Sequence, residues 1–131
     1  MRALLLNVGS GKFPLGDVNV DVNPIGYGKN VVRADAHFLP FIDSCFDKVL
    51  ADNVVEHLVR PDLAILEFMR VSSRFVELIV PTRWCELFNH RKEHLWVFRS
   101  AWWFHRFGLV HVSVCRWVFF FPFMWRVEIL C

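Results

Sequence analysis

Two glycines follow the first apolar run of the chain almost at once. Residues 3–8 are apolar apart from Asn7, and Gly9-Ser10-Gly11 comes directly after them. A short run of this kind is typical of a strand that is buried on both faces of a parallel sheet. The glycines let the backbone turn sharply, and their missing side chains let a ligand approach the main chain closely. The start of the chain therefore predicts an α/β fold, with either a ligand-binding loop or a plain tight turn after the first strand.

The rest of the chain has the pattern of a strand-rich α/β domain. Further strands are predicted at residues 18–22, 30–33, 46–51, 74–80, 109–115 and 117–130. Because helices are predicted between some of these strands, the order favours an open, largely parallel sheet.

Two helices are predicted. One begins at Pro61, because proline followed by an acidic residue suits a first helical turn, and it ends at Ser72-Ser73. Its apolar face is predicted to hold Leu63, Ile65, Leu66 and Met69. The other helix is predicted over residues 95–107 and closed by Gly108. Residues 82–93, which lie between them, are predicted to be polar and irregular.

Composition excludes several classes of protein. The 131 residues suit a single domain, and an apolar fraction of 55% is too high for a disordered chain. A formal net charge of +2 is too small for the concentrated basic face of a nucleic-acid-binding protein. No apolar run reaches the roughly 18 residues of a membrane helix, and no secretory signal is visible. The four cysteines lack CxxC spacing, so we expect buried thiols in a cytoplasmic protein.

The connection between the first two predicted strands is unusually short. Only six residues, 12–17, separate Gly11 from Val18, whereas parallel neighbours normally need a crossover of about a dozen residues or more. The first helix is therefore predicted to be absent or reduced to a turn. Residues 23–46 likewise leave no room for two ordinary helices, so one face of the sheet would be thinly covered. We expect a homodimer interface and the aromatic C-terminal part, which holds all six tryptophans, to cover it.

Polar residues follow three of the predicted strands. Asp21 ends the second strand, where a carboxylate can accept hydrogen bonds from both hydroxyls of a ribose. Asp35-Ala36 follows the third strand, where the carboxylate can accept from an adenine amino group and the next N–H can donate to the ring. Asn53 and His57 follow the fourth strand, at the edge where open α/β sheets bind ligands. Taken singly, each of these residues also fits a solvated loop.

Taken in order, these residues resemble the pattern of a known family. The pattern comprises G-S-G, the acidic strand end, D-A-x-x-L-P-F-x-D-x-x-F-D-x-V and then E-H-L. It is similar to the class I S-adenosylmethionine-dependent methyltransferases, most of all to the small branch called methyltransferase type 11. The similarity covers residues 4–82 and, more loosely, residues 95–114. A subset of this family shares the shortened first crossover.

The resemblance implies a shortened Rossmann-like fold, in which a mostly parallel central sheet ends in a C-terminal antiparallel hairpin. It implies S-adenosylmethionine as the cofactor and S-adenosylhomocysteine as the product. The implied cofactor-binding residues are Asn7, Val8, Gly9, Ser10, Gly11, Asp21, Val22, Asp35, Ala36, His37 and Asn53. Residues 7–11 would line the methionine part, Asp21 would hold the ribose, and Asn53 would lie near the sulfonium. Asp35 and Ala36 would read the adenine.

The resemblance also implies a function, the transfer of a methyl group to an acceptor. We expect this acceptor to be a small molecule. Residues 1–131 would form one domain, with a cofactor half at residues 1–60 and an aromatic-rich half for substrate or interface at residues 83–131. Two alternatives stay open. The chain could be a catalytically inactive binding or scaffold protein that acts through an oligomer interface. It could also be a peripheral membrane enzyme whose residues 95–107 lie at the lipid headgroups.

Histidines are the candidate bases if the acceptor must lose a proton before it is methylated. They are His57, His90 and His94. The polar segment that holds the last two could orient an anionic or sugar-like acceptor, or it could be an ordinary solvated loop. Cys85, His90 and His94 have spacing that metal ligands can show, but no fourth ligand is evident and no metal site is predicted.

Overall fold

A computed structural model of the chain describes residues 2–24, 30–88, 93–118 and 121–131. Its strands are β1 Leu5–Val8, β2 Val18–Asp21, β3 Val31–Arg33, β4 Phe46–Asp52, β5 Ser72–Pro81, β6 Val110–Val118 and β7 Phe121–Leu130. The α-helices are α1 Pro61–Val71 and α2 Arg83–Phe88, and two 3-10 helices span Val55–His57 and Ala101–Phe107. Within the described residues, no helix combines the length and the apolar character that crossing a membrane requires.

The strands form one mixed sheet in the order β3-β2-β1-β4-β5-β7-β6. The first five of these are parallel neighbours, and β7 runs antiparallel between β5 and β6. Val8 at the end of β1 pairs with Val20 of β2 on one side and with Ala51 of β4 on the other. From β1 the chain continues to β2 and β3 on one side of the sheet, and from β4 it continues to β5 on the other. Ligands of open α/β sheets bind at such a switch point. The predicted fold, a mostly parallel sheet with a C-terminal hairpin, is confirmed.

The crossover from β1 to β2 contains no helix, as its length predicted. A buried amide takes the place of helix packing there: Asn19 accepts from the N–H of Gly16 at 2.8 Å and donates to the carbonyl oxygen of the same residue at 3.1 Å. Gly16 lies so close to β1 that an added Cβ would be 2.9 Å from the carbonyl oxygen of Leu5. The carboxylate of Asp17 accepts from the N–H of Leu5 at 2.9 Å. The loop is therefore fastened directly to the backbone of the sheet.

Helix α1 begins at Pro61 and ends before Ser72, close to the predicted limits. Its apolar face is not the predicted one. The buried residues are Pro61, Ala64, Ile65, Phe68 and Val71, which recur with the helical period. Leu63 and Leu66 are 42% and 52% exposed, so of the predicted face only Ile65 is buried, with Met69 packed partly against the core. The helix carries two apolar stripes, and the sheet determines which of them is covered.

The segment between β5 and β6 differs from the prediction in two places. Residues predicted as irregular include helix α2, and only Ala101–Phe107 of the predicted helix 95–107 is helical, as a 3-10 helix that Ser100 caps. Aromatic side chains explain the path of this segment. Phe98 and Phe104 are buried in the core with their ring centroids 5.0 Å apart. Aromatic residues favour helices only weakly, and here the packing of the rings decides the backbone path.

Candidate functional site

The loop after β1 forms one wall of the candidate site. Its main chain folds over the end of β2, because the N–H groups of Gly9 and Ser10 both donate to the carbonyl oxygen of Val20, at 2.7 and 3.1 Å. Gly9 has a φ of +70°, and a side chain there would place its Cβ 2.3 Å from Cγ2 of Val54. Glycine is therefore required at this position both by the backbone conformation and by the close approach of Val54.

Asp21 at the end of β2 is held by two backbone groups. One carboxylate oxygen accepts from the N–H of Gly11 at 2.8 Å, and the other accepts from the N–H of Asn23, also at 2.8 Å. Each carboxylate oxygen has a second lone pair, so Asp21 can accept two more hydrogen bonds while it stays fixed in position. A carboxylate arranged in this way suits a ligand with two neighbouring hydroxyl groups.

Asp35 and His37 form a second fixed polar pair beyond β3. Both the N–H and Nδ1 of His37 lie close to Oδ1 of Asp35, at 2.8 and 2.6 Å. These hydrogen bonds, from the backbone first and the ring second, lower the pKa of Asp35, so its carboxylate stays ionised. The N–H of Arg60 approaches Nε2 of His37 at 3.3 Å, and an imidazole protonated at Nδ1 satisfies both contacts.

These walls enclose a cavity of about 420 Å³, which we call the first cavity. A volume of this size is in the range of small-molecule and cofactor sites. The structure brings together on its walls the predicted cofactor residues Val8, Gly9, Asp21, Val22, Asp35, Ala36, His37 and Asn53. Their assignment to a cofactor remains a prediction, but they converge at the switch point of the sheet.

The remaining predicted cofactor residues lie beside the first cavity. Asn7 and Ser10 line a neighbouring cavity of about 360 Å³, which also reaches Asn53. The side chain of Asn7 is buried, and its Nδ2 lies 3.4 Å from both the carbonyl oxygen of Phe13 and Oδ1 of Asn19. Its amide group thus interacts with the short crossover. The N–H of Gly11 donates a hydrogen bond to Asp21, the residue that is predicted to bind the ribose.

A second cavity, of about 300 Å³, adjoins the first and shares Asn53 and His57 with it. Its other walls include His94 and Arg116. Asn53 has a φ of +52°, a left-handed conformation that asparagine tolerates better than most residues do. This turn after β4 places Asn53 between the two cavities, and the sequence predicted its place at the sheet edge but not the second cavity. A group bound in one cavity would therefore be adjacent to a group bound in the other.

A buried acid next to the second cavity was missed by the sequence analysis. Glu56 in the 3-10 helix Val55–His57 is 0% exposed, and neither of its carboxylate oxygens has a hydrogen-bond partner among the residues that the structure describes. Burial raises the pKa of Glu56 to about 7. Its main-chain oxygen is well bonded, because it accepts from the N–H groups of Leu95 at 2.8 Å and Trp96 at 3.1 Å. The only available signal was the E-H-L sequence, which does not reveal burial.

Two of the three candidate bases lie together beside this acid. The rings of His57 and His94 meet edge to face, with their centroids 4.6 Å apart. Nδ1 of His57 lies 3.1 Å from the main-chain oxygen of Glu93, and Nδ1 of His94 contacts the carboxylate of Glu86. His90 lies outside the described residues. Glu56, His57 and His94 together offer atoms that could hold a metal ion, a set that differs from the cysteine-containing one considered in the sequence.

The model of the methyltransferase domain family matches residues 17–75 of this chain. This range includes Asp21, Asp35, Asn53 and His57. The resemblance to class I methyltransferases is confirmed. No curated protein sequence matches the chain significantly.

Solved methyltransferase structures have a similar fold. A methyltransferase from Bacillus halodurans C-125 is 17% identical with a TM-score of 0.64, and the match covers 83% of this chain and 65% of that one. The complex between the Trm112 methyltransferase activator of Haloferax volcanii and a methyltransferase is 13% identical with a TM-score of 0.70. That match covers 97% of this chain and 81% of the other. Magnesium protoporphyrin IX methyltransferase from Synechocystis, with bound S-adenosylmethionine, is 14% identical with a TM-score of 0.65. That match covers 98% of this chain and 69% of the other. Identities this low show the methyltransferase fold alone.

Proposed function

We propose that the first cavity binds S-adenosylmethionine and that the second cavity holds the group that receives its methyl. The observation that carries this proposal is the junction of the two cavities at Asn53 and His57. A methyl donor and its acceptor must meet at one point, with the reacting atoms in line. Two adjacent cavities at the switch point of a methyltransferase fold meet this requirement.

The residues of the first cavity fit the parts of this cofactor. Asp21 has a lone pair left on each oxygen for the two ribose hydroxyls. Asp35 stays ionised and can accept from the adenine amino group. The glycine loop brings backbone groups close to the bound molecule, and Asn53 stands where the methyl group would leave. The bound cofactor supplies an activated methyl group on a sulfonium, which is already a good leaving group.

The chain itself mainly positions the acceptor. Where the acceptor must first lose a proton, His57 is the best-placed of the described histidines, because it lines both cavities. Its Nδ1 is directed at a main-chain oxygen, which can only accept, so Nδ1 carries the proton and Nε2 is free to take one. Arg116 in the second cavity supplies a positive charge, which favours a small acceptor with an anionic group.

Calorimetric titration with S-adenosylmethionine and S-adenosylhomocysteine tests this proposal. Asp21→Asn keeps the size of the side chain but replaces one accepting oxygen by a donor. We expect binding to weaken about tenfold or more, since hydrogen bonds to charged groups contribute about 1.5–3 kcal/mol. Asp43→Asn is the matched control, because Asp43 is exposed and neither it nor its ion-pair partner Arg70 lines either cavity. A folded wild-type protein that binds neither compound would refute the proposal.

The inactive-scaffold alternative is not favoured, because the chain keeps both a cofactor-sized cavity and an adjoining second cavity. Release of S-adenosylhomocysteine in the presence of a panel of small anionic acceptors separates the two functions. The division into a cofactor half at residues 1–60 and a substrate half at residues 83–131 belongs to this proposal, as does a cytoplasmic location.

A homodimer is also part of the proposal. Large apolar side chains are exposed at Phe13, Phe38, Ile42 and Trp102, and exposed apolar groups of this kind support an interface. Sedimentation velocity at two protein concentrations tests it. A chain that sediments as a monomer at both concentrations would exclude the dimer without affecting the cofactor site.

A further inference from the structure

We propose that Glu56, His57 and His94 bind a divalent transition-metal ion of the zinc class beside the second cavity. One potential ligand atom from each of the three residues lies within 4.8 Å of the others. This site goes beyond methyl transfer, and its test does not depend on the cofactor.

The unpaired acid is the first argument. Glu56 is 0% exposed, and both of its carboxylate oxygens lack a partner within the described chain. Buried carboxylates in proteins are normally hydrogen-bonded, paired with a cation or bound to a metal, because an isolated buried charge is very costly. The two hydrogen bonds from residues 95 and 96 to its main-chain oxygen hold this residue in the interior. A cation between Glu56 and the neighbouring imidazoles would satisfy its oxygens.

The outer hydrogen bonds of the two histidines are the second argument. Nδ1 of His57 meets the main-chain oxygen of Glu93, and Nδ1 of His94 meets the carboxylate of Glu86. Histidines that bind metals almost always donate their other ring N–H to a carbonyl or a carboxylate. Here both rings are held in this way through Nδ1, so Nε2 of each is left as the ligand atom, and His57 would bind the ion instead of acting as a base.

The distances and the donor set indicate the kind of ion. Ligand atoms bound to one zinc ion at about 2.0–2.2 Å lie roughly 3.3 Å apart in a tetrahedron. One ligand atom of each residue already lies within 4.8 Å of the others, so a bound ion would draw these atoms about 1.5 Å or less closer together. Two imidazole nitrogens and one carboxylate suit zinc and its neighbours, whereas calcium and magnesium prefer oxygen ligands.

Three protein ligands would leave one coordination position of the ion open. His57 and His94 line the second cavity, so a fourth ligand would come from that side. Three protein ligands and one exchangeable position are typical of catalytic zinc sites. The ion would therefore bind acceptors that present an oxygen or a sulfur atom.

Zinc titration of the metal-free protein tests the site. Purified full-length chain is dialysed against chelator, titrated with ZnCl2 in a calorimeter, and checked for metal content by mass spectrometry. We expect one zinc ion per chain, and binding that weakens about tenfold or more in Glu56→Gln and in His94→Gln. His111→Gln is the matched control, because His111 is exposed on β6 and belongs to no such cluster in the part of the chain that the structure describes. The intense visible absorption of tetrahedral cobalt(II) provides a second readout.

The opposing outcome is that a proton, and not a metal ion, neutralises Glu56. The wild-type protein would then bind neither zinc nor cobalt, or the two variants would bind them as well as His111→Gln does, and the site would be rejected. Thermal unfolding of each variant shows that it is folded, and the Glu56→Gln side chain has nearly the same shape as the original. Titration of the same samples with S-adenosylmethionine is a separate readout, since neither Glu56 nor His94 lines the first cavity.

Discussion

The two cavities differ in how their polar walls are satisfied. Around the first, Asp21 accepts from the N–H groups of Gly11 and Asn23, and Asp35 accepts from His37. Beside the second, the Glu56 carboxylate has no partner among the described residues. Carboxylates that hydrogen bonds hold in place are preorganised, whereas an unpaired buried one lacks the group that would neutralise it. The comparison indicates that the described chain itself positions the carboxylates around the first cavity, whereas beside the second cavity it leaves Glu56 without a neutralising group.

The largest expected effect tests whether the two halves share one core. Phe104 is 0% exposed in the aromatic half, and truncating a buried phenylalanine costs about 3–5 kcal/mol. We expect Phe104→Ala to reduce the free energy of unfolding in urea by this amount. All tryptophans lie in the aromatic half, so their fluorescence reports on that half and far-ultraviolet circular dichroism reports on the whole chain.

Coincident shifts of the two signals would establish a single cooperative unit. A shift in fluorescence alone would show that the aromatic half unfolds separately. Leu109→Ala is the control, because Leu109 is 76% exposed and its loss should change the stability by less than about 0.5 kcal/mol.

The next effect sharpens the description of the glycine loop. Gly9→Ala would combine a left-handed backbone with a collision against Val54. Strain of about 1–2 kcal/mol and overpacking of about 1–3 kcal/mol predict a loss of about 2–5 kcal/mol in urea unfolding. Gly11→Ala should lose only about 1–2 kcal/mol, because Gly11 also has a positive φ but nothing lies within 4 Å of an added Cβ. Equal losses in the two variants would show that the contact with Val54 contributes nothing.

The smallest effect concerns the amide that replaces the first helix. Asn19→Ala removes both hydrogen bonds to Gly16 and leaves two backbone groups without their partner. We expect a loss of about 2 kcal/mol, within the range for unsatisfied buried groups. Thermal unfolding measures it, with Asn23→Ala as the control because Asn23 is exposed. Equal stability of the two variants would contradict the role given to Asn19.

Much of the structure around β1 and the glycine loop could be predicted because the signals there are local. A short apolar run followed by G-S-G predicts a buried strand and a close turn, and both are present at Leu5–Val8 and Gly9. The missing first helix followed from a count of residues. The hydrogen bonds between Asn19 and Gly16 could not be predicted, because nothing in the sequence distinguishes Asn19 on β2 from Asn7 on β1 or Asn23 after β2.

The burial of Glu56 and the buried face of α1 depend on contacts between distant residues. The N–H groups of residues 95 and 96 donate to the main-chain oxygen of Glu56 and hold it in the interior. No residue near Glu56 in the sequence predicts these hydrogen bonds. The buried face of α1 was predicted wrongly because Leu63 and Leu66 form an apolar stripe as good as the one with Phe68. Only the position of the sheet decides between the two stripes.

The short crossover also affects the order in which the chain can fold. Parallel strands usually have to close a long loop before they pair, and the lost chain entropy slows this step. Here Val8 pairs with Val20, which lies only about a dozen residues further along the chain. Val76 of β5 pairs with Ile129 of β7, which is much further away in sequence. We therefore expect β1 and β2 to be the first parallel strands to pair, and the hairpin of β6 and β7, which is local in the chain, to dock on β5 last. The parallel part of the sheet would then begin folding at the two strands that flank the glycine loop.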